Sequence, residues 1–202
     1  MIGAARGPAG RRSVVGREVR AKRAGAERIG YGNARGDFHL GDVLLFRGRG
    51  LASQAIRLLT RSPYSHVGLV FLYQRRVYCF EAVGVGVRLI LMSEVMRRYH
   101  GGIDYYEVVR AAPEQRDGAL AFCFQQLGKL YDRPGIVRFL LAILLNRKPA
   151  VRADQAWFCS ELVAAAYRAH GLALAPVSAA YTSPADLAVS PELKLRYVLK
   201  RE

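Results

Sequence analysis

HVGLVFLY (His66–Tyr73) and RVYCFEAVG (Arg76–Gly84) are two runs of β-branched and aromatic residues separated by a short polar turn, the mark of a β-hairpin. A turn centred between Gln74 and Arg75 makes residues whose numbers sum to 149 face each other, pairing His66 with Val83. Glu81 then lies two residues along on the same face, a diagonal neighbour of His66. Moving the centre to between Tyr73 and Gln74 sets His66 directly opposite Glu81. Only an odd-length loop separates the two onto opposite faces. A carboxylate beside an imidazole fixes its tautomer and supports the imidazolium, the orienting role in nucleophile–base–acid sites. On geometry alone the alternative stands equally: His66 at a strand end, and Glu81 in a rim salt bridge with one of many arginines.

Outward from the hairpin the chain reads as mixed α and β. LGDVLLFRG (Leu40–Gly48) predicts a strand ended by a Gly-rich turn, and LASQAIRLLTR (Leu51–Arg61) a short helix with Leu51, Ala55, Leu58 and Leu59 near one face. Val85–Leu91 adds a strand, Ser93–Tyr99 a helix and Ile103–Val109 a further strand. A helix after Pro113 carries Leu120, Phe124 and Leu127, with Gly128 as its stop. Ile136–Leu145 predicts a short apolar helix. CSELVAAAYRAHG predicts a helix closed by Gly171, and SPAD (Ser183–Asp186) an N-capped helix start with Pro in the first turn. LKLRYVL (Leu193–Leu199) closes the sheet as a last strand.

Composition bounds the function. The chain has 202 residues, 51% hydrophobic and 23% charged, which suits one packed core and excludes wholesale disorder. Thirty-one Lys and Arg against sixteen Asp and Glu leave +15, which calls for an anionic neighbour without naming it. The three cysteines have no CxxC spacing, arguing against a disulfide framework and a structural zinc site. No histidine has a partner at metal-ligand spacing and no glycine-rich phosphate loop is present, so neither a metal nor a cofactor is expected. The longest apolar run, Ile136–Leu145, is interrupted by Arg138 and falls short of the ~20 residues of a membrane span.

The charge is concentrated at the start. Residues 1–36 hold nine Lys or Arg against Glu18 and Glu27, with no aromatic residue before Tyr31. The expectation is a basic, disordered tail over 1–36 and a catalytic domain over 37–202. The tail lacks the apolar core of a secretory signal, which points to the cytoplasm.

One cysteine has a reactive setting. Cys159 follows Trp157 and Phe158 and opens a helix, whose N-terminal N–H groups and partial positive charge favour a thiolate over a thiol. The bland alternative is a small buried residue at a helix start. Cys79, mid-strand, and Cys123, inside a helix, read as packing. His39 precedes the first strand, His100 a Gly-Gly loop, and His170 lies near a helix end.

GDVLLF, SPYSHVGLVF, VYCFEAVGVGV, LGKLYD, WFCSELVAAAY and TSPADLAVSPEL, in that order from Leu40 to Leu193, resemble the circularly permuted papain-like cysteine amidases of the NlpC-like superfamily. Permuted members have His first and Cys near the end, as here. The resemblance implies an α+β permuted papain-like fold, an antiparallel sheet packed against helices, and a cysteine amidase or peptidase working through a thioester. It implies Cys159 as nucleophile, His66 as general base, Glu81 as the residue orienting the His, and Tyr131 in the oxyanion hole. The segment Arg133–Ala156 departs from the family, which passes more directly from YD to CSELV. The resemblance makes a cell-wall-type peptide the natural substrate. Two rivals stay open: a lipid acyltransferase or (thio)esterase, favoured by the apolar Ile136–Leu145 beside a basic surface, and a non-catalytic module holding an anionic polymer through its basic tail. No specific nucleic acid is expected as partner.

Overall fold

A computed structural model describes residues 8–131, 145 and 156–201, with the backbone alone at 8–13, 131 and 156. The predicted hairpin forms as strands β3 (His66–Tyr73) and β4 (Arg76–Val83), with Gly68 opposite Glu81 and Tyr73 opposite Arg76. This is the register whose paired numbers sum to 149. Gln74 and Arg75 make the tight turn, both with positive φ (46° and 61°).

The hairpin is part of a seven-stranded sheet. Before it come β1 (Glu27–Gly30) and β2 (Val43–Gly48); after it come β5 (Gly86–Leu91), β6 (Gly101–Val108) and, last, β9 (Leu193–Lys200). The spatial order is β1-β9-β6-β2-β3-β4-β5, antiparallel throughout except where β1 runs parallel to β9. A separate parallel pair joins β7 (Leu130–Tyr131) to β8 (Ala156–Trp157).

The central strand β2 is apolar on consecutive residues because both faces of the sheet are covered. Val43 and Leu45 join Val67, Leu69 and Phe80 in one core, while Leu44 and Phe46 join Val70, Cys79 and Met92 in another. The first core is covered by α5 (Pro113–Gln125) and α6 (Cys159–Arg168), through Leu120, Cys123, Leu162 and Val163. Helix α4 (Met92–Arg98) covers the second through Met92 and Val95. Helix α7 (Pro184–Ala188) starts as the sequence predicts: Ser183 Oγ accepts from the Asp186 N–H at 3.2 Å, and Asp186 Oδ2 accepts from the Ser183 N–H at 3.0 Å. The expected helix Ile136–Leu145 lies outside the described residues, apart from an exposed Leu145.

The N-terminal region differs from the expected disordered tail. Pro8–Ala24 is a helix, α1, followed by β1 and the short helix α2 (Tyr31–Ala34). Two contacts that composition does not reveal order it. Val19 is fully buried in the first core, and Arg23 Nε lies 2.5 Å from Asp104 Oδ2, a carboxylate with no exposed surface. Arg47 (3.2 Å) and the Tyr64 hydroxyl (2.6 Å) also donate to Asp104, so a tail arginine completes the neutralisation of a buried charge. As a result β9 is not the sheet edge that a last strand would be; β1 covers it.

Helix α3 (Leu51–Thr60) forms where predicted, but its Leu-rich face is turned outward: Leu51 is 86% and Leu58 77% exposed, and Ala55 is exposed as well. α1 runs close against its end, where a Cβ on Gly16 would lie 2.1 Å from the Arg61 carbonyl oxygen.

Candidate active site

His66 is the first residue of β3 and Cys159 the first of α6, so the two come from the ends of packed elements. α6 lays Leu162 and Val163 on the core face that includes Val67 and Leu69, which carries its N-terminus to the start of β3. The Cys159 side chain and the imidazole of His66 hydrogen-bond each other, although 93 residues separate them in sequence.

Glu81 sits where the hairpin arithmetic puts it, diagonal to His66, with His66 Nε2 and Glu81 Oε2 2.8 Å apart. With Nε2 committed to Glu81, Nδ1 is the ring nitrogen left for Cys159. Gly68, between the two in register, holds the strands close. A Cβ there would lie 2.4 Å from Cys79 Sγ and 2.7 Å from the Phe80 carbonyl oxygen, and would push β3 off β4. Phe46, opposite His66 on β2, packs its ring against the imidazole at a centroid distance of 5.0 Å.

Glu81 makes both of the contacts considered for it, and makes them as a buried carboxylate rather than at a rim. Oε2 meets His66, while Oε1 accepts from Arg88 Nε (2.9 Å) and Nη2 (2.6 Å). Arg88 faces Glu81 directly across the β4–β5 pair. Sequence reasoning missed it, yet a turn centred between Gly84 and Val85 makes residues summing to 169 face each other, and so pairs 81 with 88.

The electrostatics follow from this chain of groups. Burial alone would push the His66 pKa down. The charge on Cys159, the hydrogen bonds from Cys159 and Glu81, and the Glu81 charge outweigh it and lift the pKa from 6.5 to about 10. Burial would raise Glu81, but His66 and then Arg88 hold it below its ordinary value. The other cysteines are packing residues, as the sequence suggests. Burial pushes Cys79 well up and Cys123 to about 12, so both stay thiols.

A cavity of about 540 Å³ opens beside His66 and Glu81. Ile56, Val83, Ile90 and Val95 give it apolar walls, and Arg88, Glu94 and Arg98 a charged end. Tyr99 also lines it; burial above all, with the charges of Glu81 and Cys159 adding, pushes its phenol up to about 12. Cys159, 5% exposed, lies outside this lining and meets it through His66. The backbone of Tyr131 is in register with Trp157, two residues before Cys159; its side chain lies outside the described residues. The remaining histidines stand apart: exposed His39 lies 3.5 Å from Asp42, His170 packs over Gly118, and His100 is exposed.

A permuted order of His before Cys, on a sheet packed against a helix that starts with Cys, defines a papain-like class of fold. Residues 37–183 match the family described as permuted papain-like amidase enzyme, YaeF/YiiX, C92 family, and the chain belongs to it. It is 26% identical over 196 residues to "Probable lipoprotein peptidase YaeF" of Escherichia coli K12, covering 80% of this chain and 70% of that one. It is 30% identical over 102 residues to "Uncharacterized protein YiiX" of the same strain, covering 46% of each. A solved structure of YiiX from Escherichia coli O157:H7 superposes with a TM-score of 0.62 at 22% identity, over 81% of this chain and 97% of that one, which shows the shared fold.

That solved structure is described as a metalloprotein. Among the described residues of the present chain, no three His, Cys, Asp or Glu side chains gather to hold a metal. Both Glu81 oxygens are engaged by His66 and Arg88, and Cys159, His66 and Glu81 form a relay rather than a converging set. The described residues do not fit a metal centre. Among the described residues, no helix is long and apolar enough to cross a membrane.

Proposed function

We propose that the chain is a cysteine amidase or peptidase that hydrolyses an amide bond in a small, cell-wall-type peptide through a thioester on Cys159. The observation that carries this reading is the chain of contacts Cys159–His66–Glu81, with 2.8 Å between His66 Nε2 and Glu81 Oε2 and the imidazole held charged. In the cycle the Cys159 thiolate attacks the carbonyl carbon and the C–N bond breaks. The His66 imidazolium gives its proton to the departing amine. Neutral His66 then takes a proton from water, which attacks the thioester carbon, and the carboxylic acid leaves as the thiolate and imidazolium are restored.

The oxyanion would be held by the Cys159 backbone N–H, at a helix position whose N–H has no intrahelical carbonyl, and by the Tyr131 hydroxyl. Loss of such a donor costs about 100–1000-fold in rate. A cavity of about 540 Å³ suits a small substrate, and its Glu94, Arg88 and Arg98 suit the charged groups of a peptide. Free Cys79, Cys123 and Cys159 suit a reducing compartment, so this reading places the reaction in the cytoplasm.

A second reading, an acyltransferase or (thio)esterase, is favoured by the apolar wall of Ile56, Val83, Ile90 and Val95. One experiment tests both: a panel of small peptide amides and matched esters, assayed with wild type and Cys159→Ala, with the acyl-enzyme sought by intact mass. Hydrolysis of an amide through an adduct on Cys159, absent in Cys159→Ala, is expected. Turnover of esters alone selects the second reading, and turnover by Cys159→Ala overturns both.

A further inference from the structure

The surface away from the site carries its own organisation. A groove of about 1130 Å³ lies between α1, α3 and the turn that follows α3, and arginines dominate its lining: Arg17, Arg20 and Arg23 from α1, and Arg49, Arg57 and Arg61 from the other wall. Among the described residues, no Asp or Glu lines it. Arg23 is spent on Asp104, and Arg57 donates to the Gly48 carbonyl oxygen at 3.1 Å. Among the described residues, no carboxylate lies within ion-pair distance of Arg17, Arg20, Arg49 or Arg61, which are exposed. Like charges gathered this closely raise the potential of the groove and draw anions to it.

The second observation is the helix between the groove and the active-site cavity. At about 3.6 residues per turn, α3 presents a different side to each. Gln54, Arg57 and Arg61 line the arginine groove together with Ala55 and Leu58, which like Leu51 are exposed; Ala52, Ser53 and Ile56 line the cavity beside His66. The exposed leucines thus lie in and beside the basic groove, on the helix whose other side lines the cavity. A surface helix with an apolar outer face and flanking arginines has the pattern of an element that lies in a lipid interface. A nucleic acid or polyphosphate would use the arginines and leave the leucines in water.

We infer that the groove of Arg17, Arg20, Arg49 and Arg61, with Leu51 and Leu58 beside it, is a docking surface for an anionic phospholipid bilayer. The arginines take headgroup phosphates, the leucines enter the interface, and the shared helix sets the cavity mouth next to the membrane. The inference does not depend on Cys159 being a nucleophile, since it concerns binding alone.

Its test is co-sedimentation of the full chain with vesicles of phosphatidylcholine alone and of phosphatidylcholine mixed with phosphatidylglycerol. The protein is expected to bind the mixed vesicles and spare the neutral ones. Each charge removed should weaken partitioning about fivefold, and the triple variant Arg17→Gln, Arg20→Gln, Arg49→Gln about a hundredfold. Leu51→Ser with Leu58→Ser should lower binding by about tenfold, most visibly at high salt, where the arginines are screened. All five positions are exposed, and unchanged circular dichroism and Tm verify that the variants fold. Equal binding to both vesicle types, or full binding by the triple variant, overturns the inference. So does full displacement by inorganic phosphate, which marks a small-anion site. Binding of duplex DNA or polyphosphate that matches vesicle binding and ignores the leucine changes marks a polyanion groove, and likewise overturns it.

Discussion

His66 keeps its proton because two groups of different kinds flank one ring: the Cys159 sulfur and the Glu81 carboxylate, which is held below its ordinary pKa. Its folded pKa, lifted from 6.5 to about 10, adds stability that is fully present below about pH 6.5 and is lost as pH rises through about 10. The charge on Cys159 is the largest of the influences raising it, so Cys159→Ala should move the His66 titration well below that of wild type. Proton NMR of the His66 ring across pH 5–11 reads this directly; equal midpoints in the two proteins contradict the coupling. Cys159, His66 and Glu81 were all legible in the sequence, since a helix start and a hairpin turn can be located from residue types alone. Arg88 and Tyr99 were not. Arg88 is one of thirty-one basic residues, and only the register of a second turn singles it out; Tyr99 comes to the cavity from the end of α4, which no local pattern aims.

The hairpin and α1 are the elements on which the arrangement rests. The turn of β3–β4 uses two non-glycine residues, Gln74 and Arg75, at positive φ, where Asn-Gly is the favoured pair. Replacing them with Asn and Gly should stabilise the protein by about 1 kcal/mol, seen as a higher Tm with unchanged activity. A lower Tm would mean that the side chains make contacts that outweigh the backbone strain. For α1, Arg23→Ala leaves the buried Asp104 with one cation fewer and should cost about 3–5 kcal/mol in urea unfolding. A loss under about 1 kcal/mol would show that Arg47 and Tyr64 suffice. Sequence reading missed α1 for a physical reason. Composition counts charges and apolar area per segment, whereas this helix is ordered by a valine buried in the sheet's core and an arginine whose partner lies 81 residues away.

At the scale of the whole molecule, the strand order and the His-before-Cys sequence express the same permutation. With the cysteine helix placed after the hairpin in the chain, α6 packs on the core face of β3 and β4, and β1 closes the far edge beside β9. The six blocks of sequence that resemble the permuted amidases span that fold, while the basic groove and the outward face of α3 depend on how α1 docks and were invisible from it. The central claim is that this fold sets one cysteine of three against a charged imidazole for nucleophilic work. Its most direct test is the rate of iodoacetamide alkylation at each cysteine of the native protein, mapped by mass spectrometry in wild type and His66→Ala. The account predicts fast labelling of Cys159 that collapses in His66→Ala, with Cys79 and Cys123 inert in both. Labelling of Cys159 no faster than of the two buried thiols, or unchanged without His66, would contradict it.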